Sequence, residues 1–199
     1  MKKLIALMLV LVMALSMAAC NGSAPETTTA APETAAPTTE AAPVAGSALE
    51  ILETVWGQFG EDEKFFAMGG DFNAPVDGAP GAVDVSTMDF LGGTLLVPEA
   101  QAANVTEAAS LMHAMMANNF TCGAFRVTGD AAAFATAMHD AIANNPWICG
   151  MPEKMIVAVI GGEFVVAAFG INDAMNPFEA KLTAAYPTAE LAYSEAITG

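Results

Sequence analysis

Apolar positions along this chain fall into three regimes. Residues 4–17 form one uncharged apolar run, residues 21–46 hold almost nothing to bury, and from residue 47 onward apolar side chains recur with regular periods. The third regime carries the folded part. Ser47 and Glu50 make a capping box ahead of a helix expected over 48–59, with Leu49, Leu52, Val55, Trp56 and Phe59 on one face and Gly60 as its stop. Residues 67–80 are rich in Gly, Asp and Pro and read as irregular loop. Two short apolar pieces follow at 83–85 and 91–97, the second expected as a strand, and 98–103 suits one helical turn. Residues 105–112 fit an edge strand, although Asn104 and Glu107 are also placed to cap a helix running to residue 117.

The second half is more regular. Residues 121–127 read as a strand, and Asp130 caps a helix to residue 143 with Phe134, Met138, Ala141 and Ile142 inward, ended by Asn144-Asn145-Pro146. The β-branched runs 155–160 and 163–169 flank Gly161-Gly162, a two-residue hairpin signal. Asn176, Pro177 and Glu179 have the order of an N-cap, a first-turn proline and a capping-box glutamate. That last helix turns Phe178, Leu182 and Ala185 inward and ends before Pro187, after which Leu191 and Tyr193 suit a short edge strand. Strand, helix, hairpin and helix in this order predict an α+β domain over 47–199. Its antiparallel sheet has about four to five strands with helices packed on it. Both faces of the hairpin are apolar, so both need cover. The two C-terminal helices are expected on one face, and the first helix with residues 83–97 on the other. An uncovered face would be a partner surface.

The first two regimes change the picture from a free domain to a tethered one. Lys2 and Lys3, the apolar run and Ala18-Ala19 have the three parts of a signal peptide over 1–19, and the run is short of the roughly 20 residues that span a bilayer. Leu15-Ser16-Met17-Ala18-Ala19-Cys20 resembles the bacterial lipobox, with Met17 where leucine is usual. That resemblance implies a diacylglycerol on the Cys20 thiol, cleavage before it, and a chain held by its lipid at the outer, extracytoplasmic face of the cell membrane. Residues 20–46 then form a disordered Ala/Thr/Pro/Glu linker, in which Ala24-Pro25-Glu26-Thr27 returns as Ala31-Pro32-Glu33-Thr34. Such a linker reaches about 30 Å as a flexible coil. The formal charge of −16 becomes still more negative once Lys2 and Lys3 are removed, leaving Lys64, Arg126, Lys154 and Lys181. This excludes nucleic acid as a partner and fits an acidic, soluble domain.

Within 120–186, Ala124-Phe125-Arg126-Val127, Pro152-Glu153-Lys154 and Gly161-Gly162 stand in an order that resembles an uncharacterised domain common on lipoproteins of gut clostridia and their relatives. The resemblance implies a domain of unknown function and favours a strand at 105–112. Some chains of this kind carry the label of bacteriocin transport accessory proteins. That label implies a redox-active Cys-x-x-Cys pair, which this sequence lacks.

Candidate chemistry is sparse. Cys122 and Cys149 are the only cysteines beyond the anchor and form a candidate disulfide pair in an exported domain; two buried free thiols are the alternative. His113 and His139 lack a nucleophile or an orienting acid at motif spacing, and neither stands at zinc-ligand spacing from a cysteine. The loop 71–78 superficially resembles a calcium loop, but its glycine comes late and Ala82 stands where the bidentate glutamate belongs. Met112, Met115 and Met116 are soft ligands of the kind that suit copper, yet Met115 and Met116 are adjacent, and core packing is expected of all three. Trp147 reads as a packing anchor beneath a loop. No catalytic, cofactor or metal motif emerges. The expectation is a lipid-anchored accessory or binding protein with a protein or envelope partner. The alternatives are an enzyme with an unfamiliar site, a thiol-dependent one included, and a sensor or inhibitor domain.

Overall fold

A computed structural model of the protein describes residues 45–198. The expected signal peptide, Cys20 and the expected linker as far as residue 44 lie outside the described residues. The chain runs α1 (Ala48–Trp56), β1 (Ala67–Gly69), β2 (Val76–Asp77), β3 (Gly81–Val83), α2 (Met88–Gly93), α3 (Glu99–Ala102) and β4 (Val105–His113). It continues through β5 (Phe120–Val127), α4 (Ala131–Ala143), β6 (Lys154–Ile160), β7 (Phe164–Gly170), α5 (Asn172–Ala185) and β8 (Glu190–Ala196).

The fold is α+β with one antiparallel sheet, as the order of elements predicts, but the sheet has eight strands rather than four to five. Its order is β2-β1-β4-β5-β7-β6-β8, and β3 also pairs with β4. Residues 105–113 resolve as a strand. The extra strands come from the segment 67–83, where glycine and proline hide short pairings. Gly69 stands opposite Leu111, and Gly81 stands opposite the next residue, Ser110. β1 and β3 are therefore two pieces of one interrupted strand beside β4, and residues 70–80 leave it as an excursion whose β2 pairs with the outer side of β1. The neck of that excursion is backbone against backbone. A Cβ at Gly69 would meet the Gly81 amide and one at Gly81 would meet the Gly70 amide, so neither position has room for a side chain. The Ser110 hydroxyl donates to the Gly70 carbonyl (2.6 Å) and closes the neck from below.

Period-2 alternation sends successive side chains to opposite faces. Phe120, Cys122, Ala124, Ile156, Ala158, Phe164 and Val166 pack on one face under α1 and α5. Phe125, Val127, Met155, Val157, Val165 and Phe169 pack on the other under α2, α3 and α4. The faces are covered, but the two C-terminal helices take one face each, because α4 and α5 lie on either side of the β6–β7 hairpin. Phe120, Phe125, Phe134, Phe164 and Phe178 are fully buried between these layers, and each contributes about 1.5–3 kcal/mol.

Helix starts follow side-chain chemistry. Ser47 Oγ accepts the Glu50 amide and Asp130 Oδ1 accepts those of Ala132 and Ala133, each cap being worth about 1 kcal/mol. Three local expectations are corrected. Residues 91–97 are the end of α2 and a coil, not a strand; Phe90, Leu91, Leu95 and Val97 are all buried on the same side, with Leu96 forced to a φ of 58°. The last helix begins at Asn172, not beyond Asn176, so Pro177 lies inside it. Met175, Phe178 and Leu182 make a buried i, i+3, i+7 stripe that extends the helix by a turn, and Glu153 caps the Asn172 amide (2.8 Å). The hairpin turn takes Glu163 as a third residue, since Ile160 pairs with Phe164, while Gly161 and Gly162 hold φ of 61° and 76°. No helix among the described residues is long and apolar enough to cross a membrane.

Candidate functional site

β4 ends at His113 and β5 begins at Phe120, so one end of the sheet is closed by the turn 114–119. Strand alternation sends Met112 to the α2/α4 face and His113 to the α1/α5 face. Three recesses meet there.

The first recess is apolar, lined by Met68, Phe72, Pro75, Phe90 and Met112. Phe72 projects from the excursion at 71% exposure and lies edge-on against Phe90, with ring centroids 5.0 Å apart. Asp71 is buried at its base. Its Oδ2 accepts the Asp84 amide (2.8 Å), and its Oδ1 accepts those of Asn73 (2.8 Å) and Ala74 (3.1 Å). These bonds hold the carboxyl below the usual carboxylate range. The calcium-like loop is thus stapled by its own aspartate, whose oxygens are committed to backbone.

The second recess holds His113, stacked on Phe65 at 5.6 Å, with Glu63, Lys64, Asn119 and Asp173 around it. Lys64 pairs with Glu61 (2.7 Å) and Glu63 pairs with Lys181 (3.1 Å), so these charges are spent on surface pairs. His113 Nδ1 accepts the amides of Met115 (3.2 Å) and Met116 (3.3 Å) and so shapes the turn that follows it.

The third recess is the outermost. Met115, Met116, Ala117, Asn118, Ile148 and Cys149 line an open cleft of about 220 Å³. Met115 is 73% and Ile148 77% exposed, and Met116 and Met151 are exposed as well. Core packing holds for Met112 alone among the three methionines singled out; the turn carries Met115 and Met116 past the end of the sheet, beyond the reach of either helix layer. Asn118 Nδ2 donates to the carbonyls of Ile148 (2.9 Å) and Gly150 (2.6 Å), joining the turn to the α4–β6 loop and bracketing Cys149 between its two acceptors. Cys149 itself has a φ of 64°, a conformation that a side chain with a Cβ adopts rarely.

No family model, curated protein or solved structure matches this chain.

The two cysteines expected as a candidate disulfide are both free thiols. Cys122 points from β5 into the α1/α5 layer, whereas Cys149 lies at the surface of the terminal cleft. Full burial pushes the Cys122 thiol far up, so it stays protonated and inert.

His139, on α4, is fixed at both nitrogens. Nδ1 meets Asp140 (2.9 Å), Nε2 meets Glu195 on β8 (2.9 Å), and the ring stacks on Tyr193 at 4.0 Å. Partial burial pulls its pKa down, but the hydrogen bonds to Glu195 and Asp140 outweigh that, and the net shift is upward. An imidazole held between two carboxylates is a clamp for the edge strand and not a free base. Trp147 packs on Phe169 at 4.9 Å, the anchor expected of it, and its indole nitrogen has no partner among the described residues. Among the described residues no group of three His, Cys, Asp or Glu side chains is arranged to hold a metal. Sequence reasoning missed the pairing of the turn 114–119 with the loop 148–151. Its one local signal is Asn118, a side chain able to donate two hydrogen bonds from the middle of a methionine-rich turn.

Proposed function

We propose that this protein is a lipid-anchored accessory or binding protein at the outer face of the cell membrane, which meets a protein partner through the Met115–Ile148 end of its sheet. The observation that supports this reading is the placement of uncovered apolar side chains. The described chain begins next to Arg126, whose Nη2 donates to the Gly46 carbonyl (2.6 Å), at the last turn of β5. Met115, Met116, Ile148 and Met151 lie past the other end of that eight-residue strand, about 25 Å away at 3.4 Å per residue. Methionine adapts its shape to varied apolar partners, and charged side chains are absent from the lining of the cleft.

Fractionation of cells tests the anchor. Cys20→Ala is expected to release the cleaved protein from the membrane fraction, and retention there after signal cleavage would defeat the anchoring half of the reading. A photo-crosslinking residue at Ile148 tests the surface half. Adducts that unmodified protein competes away, and that a Met115→Asp competitor does not, are the expected result. Equal competition by both would show that this end is not the contact.

A further inference from the structure

Resting on that reading of the terminal cleft as a binding surface, we propose that it is also a soft-metal site, in which the Cys149 thiolate and the Met115 and Met116 thioethers ligate one monovalent copper ion. Three sulfur-bearing side chains from two separate segments line the same open cleft. Thiolate and thioether are the ligand types that select Cu(I), which needs few ligands and no fixed geometry. No histidine, aspartate or glutamate side chain lines this cleft, and Asn118 is its only side chain with a hard oxygen.

The surroundings fix the backbone that carries these side chains. His113 Nδ1 gathers the amides of both methionines on one side. On the other, Asn118 holds the carbonyls that flank Cys149. Cys149 sits at a positive φ, a costly conformation that persists only where neighbours enforce it. Both sets of bonds reach backbone atoms on either side of the cleft and leave the sulfur-bearing side chains themselves unpartnered. Binding forms a copper–sulfur bond at Cys149 and breaks its S–H bond, releasing one proton to solvent, while each thioether donates a lone pair without losing a proton. No electron is transferred.

The test uses the full chain in detergent with Cys20→Ser, which removes the Cys20 sulfur as a competing ligand. Cu(I), kept reduced by ascorbate under anaerobic conditions, is offered as its coloured complex with bathocuproine disulfonate. The expected result is withdrawal of one Cu(I) per chain, its loss in Cys149→Ser, and affinity reduced about tenfold or more (1.4 kcal/mol per tenfold) in Met115→Leu/Met116→Leu. Leucine keeps the size and apolarity of these exposed side chains, and reaction of Cys149 with a thiol reagent at the wild-type rate confirms an intact loop. Failure to withdraw Cu(I), undiminished binding by Cys149→Ser, or wild-type affinity in the double methionine variant would each overturn the proposal. Competed crosslinking at Ile148 in the absence of copper is an independent readout. If it persists while Cu(I) does not bind, the metal site falls and the binding surface stands.

Discussion

At one end of β5, Arg126 gathers the Gly46 carbonyl, the carboxylates of Glu107 (3.6 Å) and Glu163 (3.9 Å), and the face of the Phe164 ring (4.6 Å). Glu107 in turn accepts the Ala48 amide (2.8 Å). The start of the domain is thereby fixed to the sheet by groups that all serve the fold. At the other end, Phe120 is fully buried, yet the turn and loop beyond it expose Met115, Met116, Ile148 and Met151. Polar groups there are spent on shaping the loops, through His113 and Asn118, and the apolar and sulfur-bearing groups are left unspent. The contrast separates stabilising from binding. Folding consumes the side chains at the Arg126 end, while the far end keeps a surface that folding does not need.

The sharpest way to break this contrast is at Arg126. Arg126→Ala removes a charge-assisted hydrogen bond, a cation–π contact and the neutralisation of two neighbouring glutamates. It is expected to lower stability by about 1–2 kcal/mol, discounted because the side chain is partly exposed. The urea midpoint measures it, and an unchanged midpoint would mean that the start of α1 is not held by this cluster.

How much of this was legible in the sequence depends on the range of the interaction. Ser47 and Asp130 announce their caps because a cap is settled within four residues, and Gly161-Gly162 announces its turn for the same reason. The interrupted strand beside β4 was not legible. Gly69 and Gly81 read as loop residues until β4 brings them side by side, when the same lack of a side chain becomes the condition for pairing. Pro177 misled in the opposite sense. Proline favours a first turn, but burial of Met175 outweighed that preference. For the site, Cys149 and the methionines were visible as chemistry. What placed them together is the Asn118 bridge between segments about 30 residues apart, a distance over which no periodicity carries information.

A smaller effect is expected at the clamp on β8. His139 has a raised pKa in the folded protein, so the charged imidazole is the form that the fold stabilises. Its contribution is fully present below the unfolded pKa of about 6.5 and is lost as pH rises through the higher folded value. The stability difference between the wild type and His139→Gln should therefore be larger at pH 5.5 than at pH 8.5. A difference that grows with pH would mean that the neutral ring is the preferred form, and the two carboxylates would then not be acting as its partners.

The smallest expected effect is at the tip, where the comparison is decided. Met115→Ser, Met116→Ser and Ile148→Ser together remove the largest exposed apolar groups at this end, and buried residues of comparable size would cost about 2–5 kcal/mol each. Exposed positions outside any cap, core or network normally change stability by less than about 0.5 kcal/mol. The backbone bonds that shape the turn, from the amides of residues 115 and 116 to His113 and from Asn118 to the loop carbonyls, do not involve the replaced side chains. The triple variant should therefore unfold at the wild-type urea midpoint. A loss near 2 kcal/mol would place these side chains in the core and remove the reason for treating this end as a surface. An unchanged midpoint combined with failure of the triple variant to compete away the crosslinks formed at Ile148 of the otherwise unmodified protein would separate binding from folding, because the same residues would then matter to a partner and not to the fold.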